Sequence, residues 1–233
     1  MKDEYLINER TLWYLVGGIV FLAVANVIDL LAGQPFWGIT RFIYLGFDNN
    51  VPAWYSSILL AVAGLLCYEC SVQAKKLNLP AVSGGLPFLL FAALLVFMSC
   101  DEVASFHEHI GGYVAKFAGI SSMDFAKHAS WVWIGGPFII VVFAGFLFFL
   151  KRALSLVSNS MLYLTLGISL IILGGIVLES TINFLNHEEL QWVWESELVL
   201  EESLEMIGTV VIAYSLLLWR DGVTKNFSTQ NYA

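Results

Sequence analysis

The stretch Leu198–Arg220 sets three glutamates into a run otherwise suited to lipid, and few architectures can absorb that. Its second half is largely apolar and closes on Trp219 and Arg220, an aromatic and a basic residue that fit a membrane interface. Its first half carries Glu201, Glu202 and Glu205. Counted back from Arg220 at ~1.5 Å per residue, Glu205 falls roughly 22 Å into a hydrocarbon core about 30 Å thick. An ionisable group at that depth costs about 2.5–3.5 kcal/mol even on insertion scales. These acids are therefore expected to face protein, water or a bound cation.

The rest of the chain repeats the membrane signal. Of its 233 residues 58% are apolar and only 13% charged, which excludes an ordinary soluble domain. Spans are expected at about 11–32, 51–70, 84–102, 130–150, 161–182 and 198–219, each reaching or approaching the roughly 20 residues that cross a bilayer as helix. The expected fold is all-α: one bundle of six transmembrane helices over residues 1–220, with a polar cytoplasmic tail at 221–233. The acidic amino terminus, MKDEYLINER, lacks the features of a cleaved signal, so the first span is expected to stay as an anchor.

Lys2, Arg10, Lys75, Lys76, Lys151, Arg152, Arg220 and Lys225 fall on one side of this arrangement, against Arg41, Lys116 and Lys127 on the other. Eight basic residues against three, all in short loops, place both termini in the cytoplasm of a plasma (inner) membrane protein. Trp37, Trp54, Trp131, Trp133, Trp192 and Trp194 then form an outer aromatic belt, with Trp13 and Trp219 near the inner boundary. The net charge of −8 argues against nucleic acid as a partner and leaves the lipid bilayer, with protein partners inside it. Cys67 and Cys70 read as small apolar fillers of a helix.

Fourteen of the nineteen acidic residues and all four histidines gather on the outer side. Measured up each helix, Asp101, Glu179, Asp29, Glu205 and Glu201 reach one layer, about 22–28 Å from the inner boundary. If the third helix runs on, Asp101, Ser105 and Glu108 share one face; Glu179, Asn183 and His187 form a stripe on the fifth. Stacked glutamates destabilise a helix unless a cation lies between them. Carboxylates with imidazole suit divalent metals. The expected ligands are Asp101, Glu102, Glu108, Glu179 and Glu205, joined by His107, His187, Glu201 and Glu202. No Glu-x-x-His or H-E-x-x-H spacing fixes the metal, and His107 and His109 point in opposed helical directions.

Local readings accompany this one. Asp48, with Asn49 and Asn50, is expected to cap the second span. Glu188, Glu189, Glu195 and Glu197 are expected in a solvated loop, and Asp124, His109 and His128 on the surface. Residues 101–108 have an alternative as an amphipathic interfacial helix. Gly174-Gly175 suits a close helix approach in lipid.

Three stretches carry a resemblance: Phe47-Asp-Asn-Asn-Val-Pro-Ala-Trp-Tyr-Ser-Ser57, Ser99-Cys-Asp-Glu-Val-Ala-Ser-Phe-His-Glu108 and Glu201-Glu-Ser-Leu-Glu-Met-Ile-Gly208. In order and spacing they resemble an uncharacterised family of bacterial multi-pass membrane proteins, which brings no activity with it. The functional expectation is a polytopic membrane protein with a cation site, a divalent metal, near the outer face. Its rivals are a metal-dependent enzyme acting on lipid at the outer leaflet, an accessory subunit of a larger membrane complex, and a transporter. The last needs a polar path inward, for which the sixth span offers only Thr209, Tyr214 and Ser215.

Overall fold

The computed structural model describes residues 7–80, 84–120, 129–181, 184 and 190–230, with side chains to Lys225 in the last segment. Among them, six helices are long and apolar enough to cross a membrane: Glu9–Leu31, Val51–Lys76, Gly85–Ala104, Val132–Leu154, Ser160–Thr181 and Gln191–Lys225. Chain order gives α1 (Glu9–Leu31), α2 (Trp37–Ile43), α3 (Val51–Lys76), α4 (Gly85–Ala104), α5 (Phe106–Phe117), α6 (Val132–Leu154), α7 (Ser160–Ile172), a π-helical turn (Leu173–Leu178), α8 (Glu179–Thr181) and α9 (Gln191–Gln230). The six spans stand where hydropathy put them.

Helix starts follow local chemistry. The Asn8 side chain accepts from the Thr11 amide at 3.2 Å and caps α1. At α3 the cap is Asn50, which accepts from Ala53 at 3.1 Å, with Pro52 in the first turn where its missing N–H costs nothing. Of the expected group Asp48, Asn49 and Asn50, the cap is thus its last member. Asn49 before it holds a left-handed backbone (φ 56°), a conformation asparagine tolerates.

The long helix α9 is the centre of the bundle and packs against α1, α3 and α7. With 40 residues it is about 60 Å long, twice the hydrocarbon thickness. It begins seven residues before the expected span, so Glu195 and Glu197 lie on the helix and not in a loop. It also runs on to Gln230, with Val223 buried, so residues 221–230 continue the helix.

Antiparallel α3 and α4 are joined by serines: Ser57 and Ser99 approach at 2.9 Å through their hydroxyls, and Ser71 donates to the Gly85 carbonyl at 2.7 Å. Such bonds hold helices together where lipid supplies no hydrophobic drive. Between α7 and α9 the backbones themselves touch. A β-carbon at Gly208 would stand 2.7 Å from the Gly167 carbonyl oxygen, and one at Gly167 would stand 2.7 Å from that of Gly208.

At the end of the bundle that carries the start of α1 and the close of α9, two expectations change. Arg220 is not an exposed anchor: it is 1% exposed and bonds Glu69 on α3, Asp221 beside it and the Ile7 carbonyl. Trp219 is fully buried, stacks on Phe88 with centroids 4.7 Å apart and donates to the Ala153 carbonyl at 2.7 Å. Both residues tie helices together. Trp13, by contrast, is exposed as a belt residue should be.

Gly208→Leu should force α7 and α9 apart. Overpacking of this kind costs about 1–3 kcal/mol, read as a lower thermal unfolding midpoint of the detergent-solubilised protein. An unchanged midpoint would contradict the backbone contact.

Candidate functional site

The third span does not run on past Ala104. Ser105 adopts the left-handed region (φ 49°, ψ 39°), which breaks the helix and turns the chain into α5. Asp101 fastens this corner at several points. Its carbonyl accepts from the Ser105 amide at 2.6 Å, its Oδ1 accepts from the His107 amide at 2.9 Å, and its Oδ2 meets His107 Nδ1 at 2.7 Å. The expected face of Asp101, Ser105 and Glu108 on one continuous helix is replaced by a corner between two helices.

His107 continues the polar chain. Its ring meets Trp131 edge-on, centroids 4.5 Å apart at 68°, and the Trp131 indole donates to Glu179 Oε1 at 2.6 Å. Trp131, expected at the interface, is buried and links α5 to the acid on α8. Gly111 permits that contact, since a β-carbon there would lie 2.5 Å from the Trp131 Cβ.

Glu205 reaches the same layer from α9 because α7 yields to it. A β-carbon at Gly175 would collide with Glu205 Oε1, and one at Gly174 would stand 2.8 Å from the Glu201 carbonyl and 2.9 Å from Glu205 Cγ. Both glycines sit in the π-helical turn Leu173–Leu178. Such turns bulge a helix and are frequent at functional sites.

Asp101 and Glu102 from α4, His107 from α5, Glu179 from α8 and Glu205 from α9 all line one cavity of about 490 Å³. The remaining wall is aliphatic and aromatic, including Phe97, Phe138, Ile139, Val142 and Ile171. The cavity thus has an acidic end and an apolar body. Ser56 on α3 hydrogen-bonds Glu102.

Other candidates stand around this set. Glu202 lies within electrostatic range of Glu102, Glu179, Asp48 and Glu108. Glu201 is buried and within range of Glu179 and Glu205. Glu108 is exposed on α5, where partial desolvation and then the Asp48 charge raise its carboxyl above the usual range. Burial alone would lower the His107 imidazole, but the Asp101 carboxylate, with the charges of Glu179 and Glu108, outweighs it and raises the ring above 6.5.

Asp29 shares the level but not the cavity; it accepts from Thr40 at 2.7 Å and fastens α2 to α1. Glu195 accepts from Tyr44 at 2.9 Å, and Glu197 is buried. The Tyr44 phenol is raised by burial first and by Glu195 second. His109 bonds the Ser105 carbonyl at 2.7 Å. His187, with Asn183, Glu188, Glu189, Asp124 and His128, lies outside the described residues.

Among the described residues no three His, Cys, Asp or Glu side chains are grouped to hold a metal ion. The bonds explain part of this: both Asp101 oxygens serve His107, and Glu179 Oε1 serves Trp131. Sequence reasoning placed Trp131 in the interfacial belt and gave Ser56 no part. Nothing in the local pattern of either marks its role, because each acts through a contact between distant spans.

Histidine titration by NMR tests the corner. His107 should titrate above 6.5, and Asp101→Asn should lower it, since the carboxylate's bond and charge are lost while burial remains. The stabilisation from this pair is full below the unfolded-state value and is lost as pH rises through the folded one. Asp101→Asn should therefore remove more stability at pH 5 than at pH 9.

No curated protein and no solved structure matches the chain at a significant level. A family model described as a domain of unknown function, DUF8692, matches residues 34–219, which include every acidic residue of the cavity. The chain belongs to that family.

Proposed function

We propose that this polytopic membrane protein binds a cation in the acid-ended cavity, with Glu102 and Glu205 as direct contacts and Asp101, His107, Glu179, Glu201 and Glu202 shaping the field. The observation that carries the reading is the convergence of carboxylates from α4, α8 and α9 on one cavity. Acids at membrane depth are costly without a counter-charge. The basic neighbours supplied by the protein are imidazoles, His107 beside Glu102 and Glu179, and His109 beside Glu108. The distribution of lysine and arginine sets this layer toward the outer face, with both termini cytoplasmic.

A divalent metal is the compact form of such a cation. Rotation of Glu102, Glu202 and Glu205 toward one point would supply oxygen ligands, with His107 as a nitrogen donor. A transport role has less support, because the hydroxyls below the layer are occupied. Thr209 donates to the Glu205 carbonyl at 2.9 Å and Ser215 to the Ser160 carbonyl at 2.7 Å.

Metal analysis of the purified protein after equilibration with Mn²⁺ or Zn²⁺, beside thermal unfolding in each, tests the reading. Wild type should retain metal or gain in unfolding midpoint, and Glu205→Gln and Glu102→Gln should each lose most of that response. A wild type indifferent to metal ions and to organic ammonium alike sinks the proposal.

The apolar body of the cavity favours a second reading, a metal-dependent enzyme acting on outer-leaflet lipid. Mass spectrometry of lipids incubated with the metal-loaded protein should then show products that Glu205→Gln does not form.

A further inference from the structure

We propose that the cavity between α4, α6 and α7 takes an amphiphile with an ammonium head, its aliphatic chain along the apolar wall and its head among the carboxylates. This rests on the cation-binding reading above and names the class of cation.

The shape comes from how α4 and α6 meet. Phe91 on α4 packs against Phe143 and Phe146 on α6, centroids 6.5 and 4.9 Å apart, and Phe143 closes the bottom of the cavity. Phe97 on α4 and Phe138 on α6, both lining the cavity, are 58% and 69% exposed on the flanks of membrane spans. The opening therefore faces the side of the bundle, where lipid chains lie, as well as the acidic end. From Leu94 to Asp101 the wall rises two turns, about 10 Å. A volume near 490 Å³ lies in the range of pockets that hold drug-sized ligands.

The covering element fits the same occupant. Phe106, Ile110 and Val114 on α5 line the cavity and are also partly exposed, so α5 lies over it with apolar side chains on both the inner and outer sides. Gly111 draws this helix onto Trp131. Glu205 reaches the cavity across the glycine turn of α7, through space that a β-carbon at Gly174 or Gly175 would fill.

Charge selects the head. An anionic phosphate or sulfate would meet carboxylates from α4, α8 and α9, while a neutral head would leave them uncompensated. A bare divalent ion needs oxygens drawn to about 2.0–2.6 Å of one point. The described side chains show no such group. An ammonium donates separate hydrogen bonds of about 2.7–2.9 Å, so acids spread over several helices can share it. The chain would occupy the wall that a small ion leaves empty.

Native mass spectrometry of the protein from nanodiscs loaded with equal mole fractions of dodecylammonium, dodecanol or dodecyl sulfate tests this directly. Dodecylammonium should be retained at least tenfold more than either of the others. Glu102→Gln with Glu205→Gln should reduce it to the level of dodecanol. Val142→Trp and Ile172→Trp, which fill the wall without touching an acid, should also displace it while keeping the wild-type unfolding midpoint. Agreement from either wall variant suffices if the other misfolds. Retention of dodecylammonium no better than dodecanol, in a protein that still responds to Mn²⁺ or Zn²⁺, overturns this inference and leaves the cation reading standing. Indifference to every cation overturns both.

Discussion

The contact between α7 and α9 governs the geometry of this protein. Gly167 and Gly208 let the two backbones touch at mid-membrane, and a heptad further on Gly174 and Gly175 make room for Glu205. Small residues at such crossings replace the hydrophobic drive that lipid cannot supply. Here they do more than bring helices together. Side chains in place of these glycines would push α9 outward and carry Glu205 away from Glu179 and Glu102. The π-helical turn at Leu173–Leu178 belongs to the same arrangement, since it re-aims the end of the span so that Glu179 meets the Trp131 indole.

The two ends of the bundle use charge in opposite ways. At one end the Arg220 guanidinium is enclosed by Glu69, Asp221 and the Ile7 carbonyl, so a buried cation is fully bonded and clamps α1, α3 and α9. At the other, carboxylates outnumber the groups that could neutralise them. Breaking a satisfied ion pair is costly, whereas an excess of one sign invites a ligand.

Much of this was legible in the chain. The six spans follow from hydropathy, and depth counted along helices brings Asp101, Glu179 and Glu205, which line the cavity, to one layer. The corner at Ser105 was not, because a serine in the left-handed region leaves no pattern and the bonds of Asp101 and His109 that hold it form only in the fold. Trp219 and Arg220 sit where interfacial anchors belong, and the same composition serves equally for a buried tie between helices. Asp29 lies at the right height, yet rotation about α1 gives it to Thr40. Periodicity fixes height well and azimuth only when a partner helix is known.

Asp101 holds the corner and borders the cavity through the same carboxylate. Its position in the fold therefore couples two properties that most proteins assign to different residues: how the covering helix is moored and how negative the chamber beneath it is. A substitution that removes the Asp101 charge therefore also loosens the corner, whereas Glu102 and Glu205 border the same cavity without bonding His107.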